Sequence, residues 1–283
     1  MTEPSADSTL STFTAGDGDN IAVQDWPAPG EGPPRATVLI VHGLGEHAAR
    51  YDHVARRLNA WGFAVRSYDQ YGHGDSGGVR GALPTETRLL DDLNDLVGST
   101  RRRAGPGVPL VLLGHSLGGL VAASFVARKV LPVDALVLSS PALGTRLSPV
   151  QKLLLAVIPR VAPNLAVGNG LDPDYLSHDR AVVDAYRTDP RVHDRVTGRL
   201  ARFIADEGPD VVRQAPVWTV PTLLIYAGTD RMVDPEGSRG FARAAPKELV
   251  TSRCFDDLYH EIFNERQPEP VFDCLKQWLD ARF

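Results

Sequence analysis

Leu110-Val-Leu-Leu-Gly-His-Ser-Leu-Gly-Gly-Leu-Val-Ala-Ala123 decides the fold of this chain. An apolar run enters Gly114-His115-Ser116-Leu117-Gly118 directly, and a small-residue stretch follows at once. G-x-S-x-G alone is a weak signal. Between a short apolar strand and a helix it describes a sharp turn that lifts a serine hydroxyl above the end of a sheet. Glycine is needed on both sides because larger side chains would collide with neighbouring backbone. Ser116 is therefore the candidate nucleophile.

Outward from this turn the pattern repeats. Val38-Leu-Ile-Val41 ends in His42-Gly43, Ala135-Leu-Val-Leu138 in Ser139-Ser140-Pro141, and Thr222-Leu-Leu-Ile-Tyr226 in Ala227-Gly228. Such runs lack polar alternation, as strands covered on both faces do. Amphipathic stretches at 51–61, 87–103, 118–130 and 235–245 alternate with them. The expected fold class is α/β, a mostly parallel central sheet with helices on both faces. Nearer the N-terminus, a turn-rich cluster at 14–20 predicts a hairpin, and the first ten or so polar residues read as disordered. The rhythm breaks at Ala142 and resumes near Val217. Residues 142–217 read as a helical cap, or lid, inserted into a core of 1–141 and 218–283. The cap opens with the apolar stretch Leu153-Leu-Leu-Ala-Val-Ile158.

A serine hydroxyl needs a base to take its proton. Of the eight histidines, His42 and His115 sit inside glycine motifs at strand ends, where a structural role is expected. His47, His53 and His73 precede the nucleophile, whereas in this kind of sheet the base comes last in chain order. His178 and His193 lie in the cap. His260, after a predicted final strand at 248–255, is the expected base. The acid that orients it should follow the strand ending at Tyr226: Asp230 is preferred. Its rival Asp234 precedes Pro235 and reads as a helix N-cap. Two backbone N–H groups should face the developing oxyanion, those of Leu117 after the nucleophile and Leu44 in His42-Gly-Leu-Gly45.

These motifs resemble the monoacylglycerol lipase and lysophospholipase branch of the α/β-hydrolases. The likeness is carried by His42-Gly-Leu-Gly-Glu-His47 with Arg50-Tyr51, by Asp69-Gln-Tyr-Gly-His-Gly-Asp-Ser-Gly77, and by Leu176-Ser-His-Asp179 and Asp184-Ala-Tyr-Arg-Thr-Asp-Pro190. Gly228-Thr-Asp230 and Tyr259-His260 complete it. The resemblance implies the triad Ser116, Asp230 and His260. It also implies that Glu46, Arg50 and Tyr186 shape the polar end of the substrate pocket. In one departure, Phe263 stands where some relatives carry a second histidine.

The balance of 30 basic and 35 acidic residues, net −5, does not suit broad neutralisation of phosphates, so nucleic acid is not an expected partner. Cys254 and Cys274 have no metal-ligand spacing and read as reduced thiols of a cytoplasmic protein. The polar N-terminus has no signal-peptide core, and no apolar run approaches the ~20 residues of a membrane span. The expected activity is serine ester hydrolysis of monoacylglycerols through an acyl-enzyme, with no metal or cofactor. The alternatives are a lysophospholipase, a short-chain carboxylesterase, or an amide hydrolase of aminopeptidase type, for which Glu46 would supply the acidic subsite. The apolar start of the cap is a candidate for peripheral membrane contact.

Overall fold

Strands read from unbroken apolar runs should be buried on both faces. The computed structural model of the protein, which describes residues 8–146, 157–158 and 161–283, has them so. Strands β3 (Thr37–Val41), β5 (Leu110–His115), β6 (Ala135–Ser139) and β9 (Thr222–Ala227) are buried at every position. With β1 (Thr9–Thr14), β2 (Asn20–Trp26), β4 (Ala64–Tyr68) and β10 (Val250–Phe255) they form an eight-stranded sheet in the order β1-β2-β4-β3-β5-β6-β9-β10. Only β1 and β2 run antiparallel to their neighbours, as the predicted hairpin at one edge.

Alternate residues of each strand feed two cores. Leu39, Leu112, Leu138 and Leu224 meet helices α2 (Arg88–Ala104) and α3 (Leu117–Ala127) on one face. Val38, Val111, Val137 and Ile225 meet α1 (Asp52–Ala60) and the C-terminal helix on the other. Arg101, Arg102 and Arg103 do lie in the last turn of α2, where cations favour the helix dipole.

Between β6 and β9 come helix α4 (Arg180–Thr188) and a second, two-stranded sheet, absent from the sequence reading, that pairs β7 (Ala166–Gly168) with β8 (Arg195–Thr197). Helix α5 (Gly198–Gln214) follows and buries Leu200, Phe203 and Val211 in the same core as α3. Leu153 to Ala156 of the apolar stretch lies outside the described residues, as do residues 1–7 of the N-terminus. Helices α6 (Pro235–Ala244) and α7 (Glu269–Asp280) complete the fold. Among the described residues, no helix is long and apolar enough to cross a membrane, and both cysteines are free.

Candidate active site

The turn after β5 is as tight as its glycines require. Ser116 has φ +53° and ψ −119°, outside the conformations that L-residues prefer. The surrounding backbone holds this strained residue: its N–H donates to the Ser139 carbonyl (3.0 Å), and its own carbonyl accepts from Leu120 and Ala142 (both 3.0 Å). A Cβ on Gly114 would lie 2.4 Å from the Gly118 carbonyl oxygen, so the turn closes only with glycine there. Leu117 is the first residue of α3, where an N–H has no intrahelical acceptor and points out of the helix N-terminus.

His260 lies beyond β10 on a loop of its own. Its ring stands 4.7 Å, centroid to centroid, from that of His115, the residue before Ser116. Nδ1 of His260 is 2.7 Å from Oδ2 of Asp230, and both residues are buried. The other Asp230 oxygen accepts from the N–H groups of Met232 (2.8 Å) and Val233 (3.0 Å), which fixes the carboxylate. Burial raises the Asp230 pKa, yet His260 and these donors outweigh it and keep the group below the ordinary range. Burial likewise disfavours charge on His260, but the Asp230 charge and hydrogen bond reverse the balance and raise its pKa above 6.5. Asp234, the rival acid, caps α6: its side chain accepts from the Glu236 N–H, and Pro235 opens the helix.

Leu44 sits in the loop after β3, half-buried against the core. The preceding N–H, that of Gly43, is taken by Glu46 Oε1 at 2.6 Å, leaving Leu44's as the next donor along the loop. His42 is held from both sides. Its Nε2 accepts from the Gln70 N–H (2.9 Å), so the proton sits on Nδ1 and faces the Gly43 carbonyl (2.7 Å). Asp69 braces the same loop by accepting from the Ala48 N–H, while its other oxygen accepts from the Asp75 N–H within its own stretch (both 2.7 Å). The stretch 69–77 thus serves as scaffold for the loop after β3.

Glu46, Arg50 and Tyr186 do come together. The guanidinium of Arg50 lies 4.8 Å from the centroid of the Tyr186 ring and pairs with Glu46 Oε2. Glu46 Oε1 also accepts from the Tyr51 hydroxyl at 2.7 Å. Burial pushes the Glu46 carboxyl up, but Arg50, His115 and His42 hold it at about 2. Phe263 is buried in apolar surroundings, 5.1 Å from the Phe272 ring.

Sequence reasoning passed over Glu261 and Glu265. Glu261 forms two parallel hydrogen bonds with Arg50, at 2.7 and 2.8 Å. Glu265 accepts from the Tyr259 N–H (2.7 Å) and faces Nδ1 of His178 in the cap (2.9 Å). In the sequence they stand in the polar-rich run His260-Glu-Ile-Phe-Asn-Glu265, which carries no signal of where either carboxylate turns. The cap also touches the loop after β3. The His193 N–H donates to the Gly45 carbonyl (2.9 Å), and Nε2 of His47 is 2.8 Å from Asp189 Oδ2.

Comparison with known proteins gives the family of the chain. Residues 32–267 match the family described as serine aminopeptidase, S33. The chain is 36% identical to the monoacylglycerol lipase of Mycolicibacterium smegmatis, over 87% of this chain and 88% of that one. It is 30% identical to human monoglyceride lipase, over 94% and 88% of the two chains. The crystal structure of Paleococcus ferrophilus monoacylglycerol lipase superposes with a TM-score of 0.82 at 30% identity, covering 98% of this chain and all of that one. The chain belongs to the serine aminopeptidase, S33 family, within the monoacylglycerol lipase branch of the α/β-hydrolases.

Proposed function

We propose that the protein hydrolyses monoacylglycerols to fatty acid and glycerol, with Ser116, His260 and Asp230 as its triad. The observation that carries the reading is the buried Asp230–His260 pair, 2.7 Å apart, set beside a strained serine turn. Its substrate class follows from the lipases to which the chain is most of a length match at 30–36% identity.

In this mechanism Ser116 Oγ attacks the ester carbonyl as His260 takes its proton. Asp230 holds the proton of His260 on Nδ1, so Nε2 is the free base, and its charge favours the imidazolium that forms. The N–H groups of Leu44 and Leu117 receive the oxyanion, each worth ~10²–10³ in rate in comparable sites. His260 then protonates the leaving glycerol oxygen. A water, deprotonated by the same histidine, releases the fatty acid from Ser116.

Tyr186 supports the head-group role: its hydroxyl would lie 3.4 Å from a Cβ on Gly45, beside the oxyanion loop. Glu46 and Arg50 shape this end of the pocket through their pairing with each other. The same pairing disfavours an aminopeptidase. A peptide amine would need an unpaired carboxylate, and the oxygens of Glu46 already accept from Gly43, Tyr51 and Arg50.

The test is a matched series: 1- and 2-monoacylglycerols of several chain lengths, lysophosphatidylcholine, diacylglycerol and an aminoacyl anilide, with Ser116→Ala as blank. Monoacylglycerols should be turned over fastest and the blank should be inactive. Equal turnover of short simple esters without a glycerol head would overturn the substrate assignment.

A further inference from the structure

Arg50 stands between two carboxylates that belong to different loops. Glu46 lies on the loop after β3, where its Oε1 fixes the Gly43 N–H next to Leu44. Glu261 follows His260 directly and meets Arg50 through two parallel hydrogen bonds. All three side chains are buried, with exposures of 11% for Arg50, 4% for Glu46 and 5% for Glu261. Asn264 adds a further hydrogen bond to Glu261, at 2.7 Å.

We propose that Glu261 is a positioning residue: through Arg50 it ties the loop carrying His260 to the loop carrying the Leu44 N–H, so that base and oxyanion donor keep one separation. This rests on the hydrolase reading above.

The other attachments of the base loop run elsewhere. Its backbone runs against the cap, where the Glu261 N–H donates to the Leu176 carbonyl (2.8 Å). Glu265 binds His178 of the cap, and the Ser177 hydroxyl donates to the Asn264 carbonyl (2.8 Å). These fastenings refer the loop to the cap. Asp230, the His53 ring beside the Phe263 carbonyl (3.3 Å) and the buried Ile262 and Phe263 refer it to the core. None of them reaches the loop that carries Leu44. The Arg50–Glu261 pair does reach it, beside the central sheet. Stability alone is a poor reason for such a cluster, because desolvating two carboxylates and a guanidinium offsets much of their attraction.

The cluster also sets the charge around His260. Facing the imidazole are Asp230 from the loop after β9, His115 from the end of β5, Glu46 and Arg50 from the loop after β3, and Glu261 from its own loop. The cap contributes a backbone carbonyl, that of Tyr175, to the His260 N–H. Two carboxylates share one guanidinium, so the cluster keeps an excess negative charge that favours imidazolium, and both carboxylates push the His260 pKa upward.

The experiment compares Glu261→Gln, Glu261→Asp and Arg50→Lys, in kcat, KM and the pH dependence of kcat/KM. Inactivation of Ser116 by a fluorophosphonate is followed in parallel, with Ser116→Ala as blank. Glu261→Gln should lower kcat about ten- to a hundredfold with little change in KM. It should also move the acidic limb down by about half a pH unit. Glu261→Asp keeps the charge but loses reach, so kcat should fall while the limb stays. Arg50→Lys cannot bridge both carboxylates; it should lower kcat as well, and it decides the matter if Glu261→Gln fails to fold. Unchanged kcat, a loss confined to KM, or a loss matched only by a lower melting temperature with an unmoved limb in Glu261→Gln would overturn the proposal. The phosphonate separates the two claims: if wild type reacts but spares monoacylglycerols, the substrate reading fails while Glu261 is still tested.

Discussion

Gly118 meets Val41 backbone to backbone: a Cβ on Gly118 would stand 2.1 Å from the Val41 carbonyl oxygen and 2.4 Å from that of His42. The start of α3 therefore rests on the end of β3. This contact sets the distance between Leu117 and Leu44, the two proposed oxyanion donors. A methyl group cannot enter without parting the two elements. Gly118→Ala should cost at least the ~1–3 kcal/mol typical of overpacking and should lose activity beyond its loss of stability. Urea unfolding and turnover of the folded fraction check both. A stable, fully active variant would show that the contact does not govern the site.

Asp230→Asn tests the orienting acid with little disturbance of the loop. The amide oxygen can still accept from Met232 and Val233, as Oδ1 of Asp230 does. What changes is the partner of His260 Nδ1, which then favours the tautomer with its proton on Nε2. Activity should fall about 10⁴-fold with the fold intact. Asp234→Asn should cost little, because asparagine caps a helix about as well.

Activity should fall on the acid side at a pH above the ordinary imidazole midpoint. His260 must be neutral to accept the serine proton, and its pKa is raised from 6.5 by Asp230 acting against burial. The base is therefore protonated, and activity lost, before an ordinary histidine would be. A kcat/KM profile between pH 5 and 9 gives the midpoint directly. An acid limb centred below 6.5 would contradict the assignment of His260.

Stability should decline over a related range for a different reason. Burial lowers His115 to about 4, with His260 adding to the effect; burial and Arg80 lower His193 to about 4. Between pH 6.5 and 4 the unfolded chain binds protons that these native imidazoles refuse, so unfolding becomes easier as pH falls. Glu46, held at about 2, extends the decline below its ordinary 4.5. His260 pulls the other way, as do Asp92, which burial raises to about 6, and Asp25, which burial also raises; the lowered histidines outnumber them. Urea midpoints at pH 7.5, 6 and 5 should fall in that order, and His193→Asn should flatten the slope. Equal midpoints would mean that these histidines are solvated.

The sheet, the tight turn at Ser116 and the pairing of Asp230 with His260 were legible because their signals are local. A strand buried on both faces, such as Leu110–His115, needs an unbroken apolar run, and the glycines around Ser116 follow from a turn that no side chain permits. Asp230 could be separated from Asp234 by the proline that makes the latter a cap. The β7–β8 pair was not legible. It joins Ala166–Gly168 to Arg195–Thr197, two runs too short for alternation to register. Glu261 was missed because its partner, Arg50, lies 211 residues away. Nothing in His260-Glu261 says that the carboxylate turns inward to a guanidinium rather than outward to water.

The segment between β6 and β9, the proposed cap, leaves apolar side chains exposed. Val161 is 74% exposed and Leu165 52%, with Val157, Val167 and Leu171 also exposed. Scattered exposed apolar residues are ordinary, but this group falls within one short stretch of the cap. If it touches lipid, removing its apolar character should matter only where substrate is held in an interface. Val161→Glu with Leu165→Glu should slow hydrolysis of monoacylglycerol in vesicles by about tenfold or more, since two buried side chains contribute ~1.5–3 kcal/mol each. Hydrolysis of a short, water-soluble ester should be unaffected, because neither residue belongs to the Asp230–His260 site. Co-sedimentation with vesicles gives an independent reading. Equal rates on both substrates, with unchanged sedimentation, would mean that these side chains face water and that the lipid is taken up elsewhere.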